Sequence, residues 1–531
     1  MSETQDHPTP SSRPVAIAIA VALLLYGVAL AFGWPQWGTA RMIDDAGHAA
    51  EAEEAHHDAA QAKHEPPSPP PFYTVIPFAL LLGAIAVLPL MKHTEHWWER
   101  NRNRFLVAAS LAGVTLLYYL ALHNDPVELH YPGHATVEPS EGGLSLSVAG
   151  AVLQNAILGE YIPFIVLLFS LFAITGGIRI QGDVPAHPLT NAVMIAIGGL
   201  LASFVGTTGA AMLLIRVLLE TNSERKHVAH TVVFFIFVVC NCGGCLLPIG
   251  DPPLFLGYLQ GVPFFWTMEL WAPWLLTNAM LIGIYWAADQ LYYYRRETLP
   301  DILRDETRRR RIRISGLFPN ALLLLGVIFS VALLDPSKTF PGTDWHPWLY
   351  MREVVQLALI GASLLLGSDK IRRENRFNYH PIVEVAALFF GIFICMQPAL
   401  AILDVHGGEL GIVSPAQYFW ATGGLSAVLD NAPTYLVFFK TAQAVGGEDL
   451  VAGVQHDLLV VISLGAVFMG AMTYIGNGPN FMVKAIAEKS GIRMPSFFGY
   501  VGYSVIVLLP ILALITWLFL WPGAPLRGLT H

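Results

Sequence analysis

Charge is the first thing this chain lacks. Only 13% of its 531 residues are Asp, Glu, Lys or Arg, while 54% are hydrophobic. Soluble globular chains carry about 25% charged residues, so the shortage excludes an ordinary soluble protein. Cysteine is scarce as well. The chain has four, too few for a disulfide framework, and Cys240, Cys242 and Cys245 sit together in one apolar run. Basic residues are fewer than acidic ones, 30 against 39, and most gather in loops on one side of the topology set out below, so no basic surface for a nucleic-acid partner remains to be explained. Walker, dinucleotide-binding and HExxH motifs are missing too, which leaves an ATP-driven or enzymatic function without support and implies no cofactor.

What the chain has in abundance is apolar runs of membrane length. A helix needs about 20 apolar residues to cross a hydrocarbon core of roughly 30 Å. The runs that satisfy this are 15–33, 73–91, 105–122, 159–178, 228–260, 266–290, 315–334, 350–367, 380–400, 457–487 and 497–520. The expected fold class is an all-α polytopic membrane protein embedded in a lipid bilayer. Two further apolar stretches, 189–219 and 416–440, are interrupted at their centres by Gly206-Thr207-Thr208-Gly209 and Asp430-Asn431-Ala432-Pro433. Polar or Pro-containing backbone at membrane depth is tolerated only when buried in protein or lining a wet cavity. Each stretch therefore reads as a re-entrant hairpin, the alternative being one kinked span.

Loop charge sets the orientation. Lys92 to Arg104, Arg225-Lys226, Arg295 to Arg313, Lys370 to Arg376 and Lys484 to Arg493 hold the basic residues, and the intervening loops are nearly free of them. By the positive-inside rule those loops are cytoplasmic. A hairpin at 189–219 keeps every later loop on its correct side, whereas a full span there inverts them. The expected location is the inner membrane of a bacterial cell, with the N-terminus inside and the C-terminus outside.

The chain divides into an N-terminal helix or signal segment at 1–33, an outer linker at 34–72, a first repeat at 73–294, a basic linker at 295–314, a second repeat at 315–520 and a tail at 521–531. The 34–72 stretch, rich in His, Glu, Ala and Pro, has no apolar periodicity and is expected to be disordered. Its His48, His56, His57 and His64 are read as solvated, and no metal site is assigned to them. Two basic residues near span ends, Arg216 and Arg352, are expected to snorkel to the interface.

The two repeats are visible in the sequence alone. Glu160 opens one span and Glu384 stands early in another. Gly198-Gly199-Leu200 matches Gly423-Gly424-Leu425. The tip Ser203 to Thr208 matches Ser426 to Asn431. The broken helix at Pro248-Ile249-Gly250-Asp251-Pro252-Pro253 matches the one at Tyr474-Ile475-Gly476-Asn477-Gly478-Pro479. By loop charge the two units have opposite topology, giving an inverted 5+5 repeat with two re-entrant hairpins, two discontinuous helices and one extra N-terminal helix. That arrangement is a transporter signature and puts the binding site where the broken segments meet.

These tips and breaks resemble the ion transporter superfamily, which includes NhaD-type sodium:proton antiporters, ArsB-type arsenite carriers and citrate and dicarboxylate carriers. The resemblance runs from about residue 73 to 520 and is strongest for the branch of citrate transport and sodium:proton antiport. It implies a homodimer in which a hairpin-bearing transport domain moves against a scaffold.

A helix broken at the midplane frees backbone carbonyls and two dipole ends. Gly243, Gly244, Gly250, Gly476 and Gly478 are expected to give the breaks backbone freedom, and Pro248, Pro252, Pro253 and Pro479 to enforce them by removing donors. Thr207, Thr208, Asn241, Asn431, Thr434, Thr473, Asn477 and Asn480 add neutral oxygens fit for a Na⁺-sized cation. Asp251 and Asp430 are the candidate ion-binding carboxylates, one in each repeat. Burial disfavours the ionised carboxylate and a bound cation favours it, so Na⁺ and H⁺ compete for such a group. Glu160 and Glu384 are candidate relays. The expected function is Na⁺/H⁺ antiport by alternating access, with Na⁺ and H⁺ as transported ions. The rival is cation-coupled carriage of citrate or another small organic anion. Arsenite capture by the three clustered cysteines ranks below both, because a helix through 240–245 puts Cys242 and Cys245 on one face and leaves Cys240 off it.

Overall fold

The computed structural model describes residues 13–44, 68–140, 143–307, 310–521 and 523–530. They form two compact units that do not follow chain order. One consists of Met1–Leu81, Lys92–Arg179 and Ser315–Pro398, the other of Leu82–Met91, Ile180–Ile314 and Ala399–His531. Among the described residues seven helices are long and apolar enough to cross a membrane by length and composition, and Ala229–Cys245, Leu317–Leu333 and His456–Met472 are shorter apolar helices. An all-helical polytopic membrane protein follows, with only three two-stranded ladders among the described residues.

In the first unit, Arg13–Ala31 lays Ile19 against Ala173, Ile360 and Leu364. Helix ends here need partners for their last carbonyls, since four at each C-terminus have none within the helix. Arg372 supplies them. It donates to the Ala173 carbonyl at 2.6 Å in the last turn of Ile162–Thr175 and to the Ser363 carbonyl at 3.2 Å in the last turn of Met351–Leu366. Asn320, in Leu317–Leu333, donates to the Gly177 carbonyl at 3.2 Å and accepts from Ser363 Oγ at 2.6 Å. Buried polar groups therefore lock three helix ends together.

Several sequence expectations change in this unit. Residues 34–44, read as part of a disordered linker, are helical, and Thr39 Oγ1 donates to the Pro347 carbonyl at 3.2 Å. The four linker histidines lie outside the described residues. The span expected at 159–178 belongs to a 30-residue helix, Leu146–Thr175. Glu160 therefore does not open a span but sits mid-helix, in the π-helical turn Asn155–Tyr161. Arg352 does not snorkel: it is 7% exposed and its Nε lies 2.8 Å from Glu353 Oε1.

The second unit holds both interrupted stretches, and both are hairpins. Pro188–Val205 and Thr207–Thr221 turn at Gly206, whose φ of 78° is a conformation that side chains strain to adopt. The arms run antiparallel. A Cβ on Gly198 would lie 2.9 Å from Leu214, and Asn191 and Asn222 exchange two amide hydrogen bonds of 2.8 Å across the open end. A single kinked helix would separate those residues by tens of ångströms, at 1.5 Å per residue. The second hairpin joins Pro415–Ser426 to Asn431–Val445, with the Tyr418 and Phe438 rings in contact across it. A capping box, in which Ser414 and Gln417 satisfy each other's backbone N–H groups, starts its first arm.

The two broken helices complete this unit. Ala229–Val239 stops before a 3₁₀ turn, Cys242–Cys245, and resumes as Pro252–Leu259. His456–Met469 passes through Gly470–Met472 and resumes as Gly478–Lys489. Pro252, Pro253 and Pro479 occupy the first two positions of the resumed helices, with Pro248 inside the first gap. A first-turn N–H has no helical partner in any case, so these prolines start the second halves rather than cut the first ones.

Candidate functional site

The expectation that the break glycines supply conformational freedom is also revised. None of Gly243, Gly244, Gly250, Gly476 and Gly478 has a positive φ. What four of them supply is room. A Cβ on Gly243 would lie 2.5 Å from Gly199 Cα, so the first hairpin arm rests on the bare backbone of the first break. A Cβ on Gly244 would lie 2.6 Å from Thr207 Cγ2. One on Gly250 would lie 2.3 Å from the Gly244 oxygen, and one on Gly476 2.6 Å from the Gly470 oxygen. Gly478 has open space around it and plays no such part. With the backbones this close, the hairpin tip bonds to the break directly, Thr207 N donating to the Gly250 carbonyl at 2.8 Å. Ser203 Oγ donates to the Gly243 carbonyl at 2.6 Å and Ser426 Oγ to the Ala466 carbonyl at 2.7 Å, so each hairpin is pinned to its own broken helix.

Asp251 lies at the centre of this arrangement, 1% exposed. Its Oδ1 accepts from Thr207 Oγ1 at 3.0 Å and from Asn477 Nδ2 at 3.1 Å, and its Oδ2 accepts from Asn431 Nδ2 at 2.7 Å. All three donors are neutral. Among the described residues no Lys, Arg or His stands within salt-bridge distance of this carboxylate. Asp251 and Asn477 each precede a resumed helix in an extended conformation, while Thr207 and Asn431 each begin a hairpin arm. The amino ends of four helices, the positive ends of their dipoles, thus gather around one buried carboxylate.

A chain of amides extends from it. Asn477 Nδ2 also donates to Asn241 Oδ1 at 3.2 Å, and Asn241 Nδ2 donates to Asn480 Oδ1 at 2.7 Å. Asn480 Nδ2 in turn donates to the carbonyls of Gly470 at 2.8 Å and Thr473 at 3.0 Å. Asn431 Oδ1 is buried with no donor among the described residues. It is an oxygen free to accept from or ligate whatever enters beside Asp251.

The other expected residues divide. Asp430 does not join the cluster. It caps the second arm, Oδ1 accepting from Ala432 N at 3.1 Å, and holds the place in its hairpin that Gly206 holds in the other. The tips therefore correspond as Thr207 with Asn431, one residue away from the match suggested by Ser203 and Ser426. Thr434 Oγ1 donates to the Asp430 carbonyl and Thr473 Oγ1 to that of Ala427, both supporting the tip. Thr208 is half-buried next to Thr207. Glu160 and Glu384 lie in the other unit. Glu384 is bound to Arg104 at 2.8 Å, and Glu160 Oε2 is 3.4 Å from Gln397 Nε2. Among the described residues the three clustered cysteines do not converge as a three-ligand group, and Cys240 Sγ faces the Pro479 carbonyl at 3.9 Å.

One network escaped the sequence reading. Arg225, read only as part of a basic cytoplasmic loop, is buried, with Nη1 2.9 Å from Asp289 Oδ2. His230 Nε2 at 3.1 Å and Tyr285 OH at 3.1 Å complete the shell of Asp289. The signal was Asp289 itself, a carboxylate at the end of an apolar run. Beside this network a cavity of about 740 Å³ opens, lined by Arg216, Lys226, His230, Tyr293 and Arg493 among others.

A family profile described as "Putative citrate transport" matches residues 68–520. No curated protein matches the chain.

Proposed function

The chain belongs to the family described as "Putative citrate transport" and is a transporter; from that premise we propose secondary active exchange of Na⁺ for H⁺ across the membrane. The observation that carries this reading is Asp251, a buried carboxylate held by three neutral donors with no basic partner among the described residues. Ionised, it needs a cation; without one, a proton neutralises it, because an isolated buried charge is costly. Na⁺ and H⁺ then displace each other, and conversion between inward-open and outward-open states is allowed only when one of them is bound. Asn431 Oδ1, buried and without a donor among the described residues, supplies a further oxygen for the cation.

The two hairpins enter the bilayer from opposite sides as inverted repeats, and the protein works as a homodimer in the cytoplasmic membrane, N-terminus inside. The cavity beside Arg216 and Arg493 is the cytoplasmic vestibule, in keeping with the positive-inside rule.

A second reading, cation-coupled carriage of citrate or a similar anion, is favoured by the family description and by the four helix amino ends, which attract carboxylates. Asp251 already places a negative charge at that focus, and this is why exchange of cations is preferred. The deciding experiment uses proteoliposomes holding the purified protein and a trapped pH dye, with NaCl, LiCl, KCl or sodium citrate added in turn. Proton flux on adding NaCl establishes antiport. Silence with every chloride salt, together with citrate uptake, establishes the anion carrier.

A further inference from the structure

The basic linker carries two exposed amphipathic elements that the transport mechanism does not use. In the helix Leu299–Thr307, Leu299 and Leu303 stand one turn apart on one face, 75% and 59% exposed. The strand Arg310–Ser315 alternates Arg311 and Arg313 with Ile312 and Ile314, and all four are exposed. Successive side chains of a strand point to opposite faces, so one face here is apolar and the other basic. The strand pairs with Arg179–Asp183 in a ladder of two strands, and among the described residues no further strand joins it.

Charge divides between the inner and outer sides of this linker. Glu297 accepts from the backbone N–H groups of Lys226 at 3.1 Å and His227 at 2.9 Å, Asp301 reaches Lys226 Nζ at 3.0 Å, and Asp305 accepts from Ala186 N at 2.8 Å. Three of the four carboxylates in 295–314 are thus turned onto the protein. The arginines are turned away from it. Arg295, Arg296, Arg304, Arg311 and Arg313 are exposed, while Arg310 is tied back to Glu220 at 3.5 Å. Large apolar side chains exposed among cations mark a surface that something apolar and anionic covers. The chain itself limits what that is. Ile314 stands three residues before the apolar helix Leu317–Leu333, so it lies within about 11 Å of that helix's start, at no more than about 3.6 Å per residue. Leu299 follows the apolar helix Trp271–Ala288 by eleven residues. A segment leashed to such helices at both ends stays near the bilayer surface.

We propose that the helix Leu299–Thr307 and the strand Arg310–Ser315 dock on the membrane surface and bind the phosphate headgroups of anionic phospholipid. Leu299, Leu303, Ile312 and Ile314 enter the acyl boundary, about 5–10 Å deep for an interfacial element, which sets the opposite faces among the headgroups. Arg304, Arg311 and Arg313 are long enough to snorkel to the phosphates there. This docking is separate from ion exchange at Asp251 and does not depend on it.

The test places a nitroxide on the full-length protein in nanodiscs. The four native cysteines are buried, so Ile312→Cys or Leu303→Cys offers a single exposed thiol for the label. Electron paramagnetic resonance then compares collisions with oxygen, which partitions into lipid, against those with a nickel chelate, which stays in water. In discs of phosphatidylglycerol mixed with phosphatidylcholine, both labels are expected to meet oxygen more than the chelate. Arg311→Gln with Arg313→Gln, both at exposed positions, is expected to keep the native melting temperature and to lower the ratio of immersed to solvated label roughly thirtyfold, the effect of removing two basic residues from an anionic surface. Discs of phosphatidylcholine alone are expected to release both labels in the same way. Labels open to the chelate in anionic discs overturn the proposal. Labels hidden from both reagents overturn it too, and assign the surface to a protein partner such as a second copy of the chain. Equal immersion with and without the two arginines overturns the role of the anionic headgroup. None of these readings requires transport, so their failure leaves Na⁺/H⁺ exchange standing.

Discussion

Asn431 donates its side-chain amide to Asp251 at 2.7 Å, Nδ2 to Oδ2, across 180 residues of sequence. One residue begins an arm of the second hairpin and the other ends the break in the first broken helix. The bond therefore joins the two halves of the chain at the buried carboxylate on which the proposed chemistry depends.

Asp251→Asn keeps the size of the side chain and can still accept from Thr207, so folding should survive. Its charge cannot form, and neither Na⁺ nor H⁺ has a group to exchange on. Na⁺-dependent proton flux in proteoliposomes should fall to that of protein-free vesicles. Asp430→Asn, outside the cluster, should retain measurable flux. Normal flux in Asp251→Asn would remove this residue from the mechanism.

Asn431→Ala deletes one of the three donors. A hydrogen bond to a charged group contributes about 1.5–3 kcal/mol. The apparent affinity for Na⁺ should weaken by roughly ten- to a hundredfold at fixed pH, with the maximal rate less affected. The half-saturating Na⁺ concentration in the same vesicle assay reads this directly.

Gly250→Ala forces a Cβ to 2.3 Å from the Gly244 oxygen and 3.0 Å from Ser203 Cα, so backbone must move. Overpacking of this kind costs about 1–3 kcal/mol or more. Lower yield, a lower melting temperature and lost transport are expected together. Gly478→Ala meets nothing and should be neutral, so the pair separates crowding from a general intolerance of glycine replacement.

Arg225→Met leaves Asp289 buried and ionised without its main partner, at a cost of about 3–5 kcal/mol. The double change Arg225→Met with Asp289→Leu removes both charges and should recover much of that loss. Equal melting temperatures for the single and the double variant would contradict the pairing.

His123 is 5% exposed. Its Nδ1 faces Tyr118 OH at 3.3 Å and its Nε2 has no hydrogen-bond partner among the described residues. Burial pushes its imidazole below the ordinary histidine range, in spite of Asp125. The unfolded chain then takes up a proton first, so stability is full above about pH 6.5 and falls as pH drops toward the lower folded value. Hydrogen exchange along Leu117 to His123 should quicken over that window, and His123→Gln should abolish the change.

Much of the fold was legible because its causes are local. Apolar length marked the spans, and Gly206 and Asp430-Asn431 marked the tips, since glycine and capping residues act within a few positions of themselves. Glu160 was misplaced for the same reason. The apolar pattern weakens around Asn155, and only packing carries the helix through a π turn there. Residues 34–44 look polar in sequence, yet they form a helix whose Thr39 bonds to Pro347, far along the chain.

The sequence by itself determined that this is a membrane transporter with two interrupted hairpins and two broken helices, because desolvation forces polar backbone in an apolar run into a small set of arrangements. Only the tertiary structure decided which polar groups meet. Asp251 and Asp430 were both candidate ion-binding carboxylates, one in each repeat, but a shift of one residue at the tip gave Asn431 the contact and left Asp430 a cap. Which residues share a buried site depends on how the backbones approach one another, as at Gly199 against Gly243. Neither hydropathy nor spacing encodes that approach.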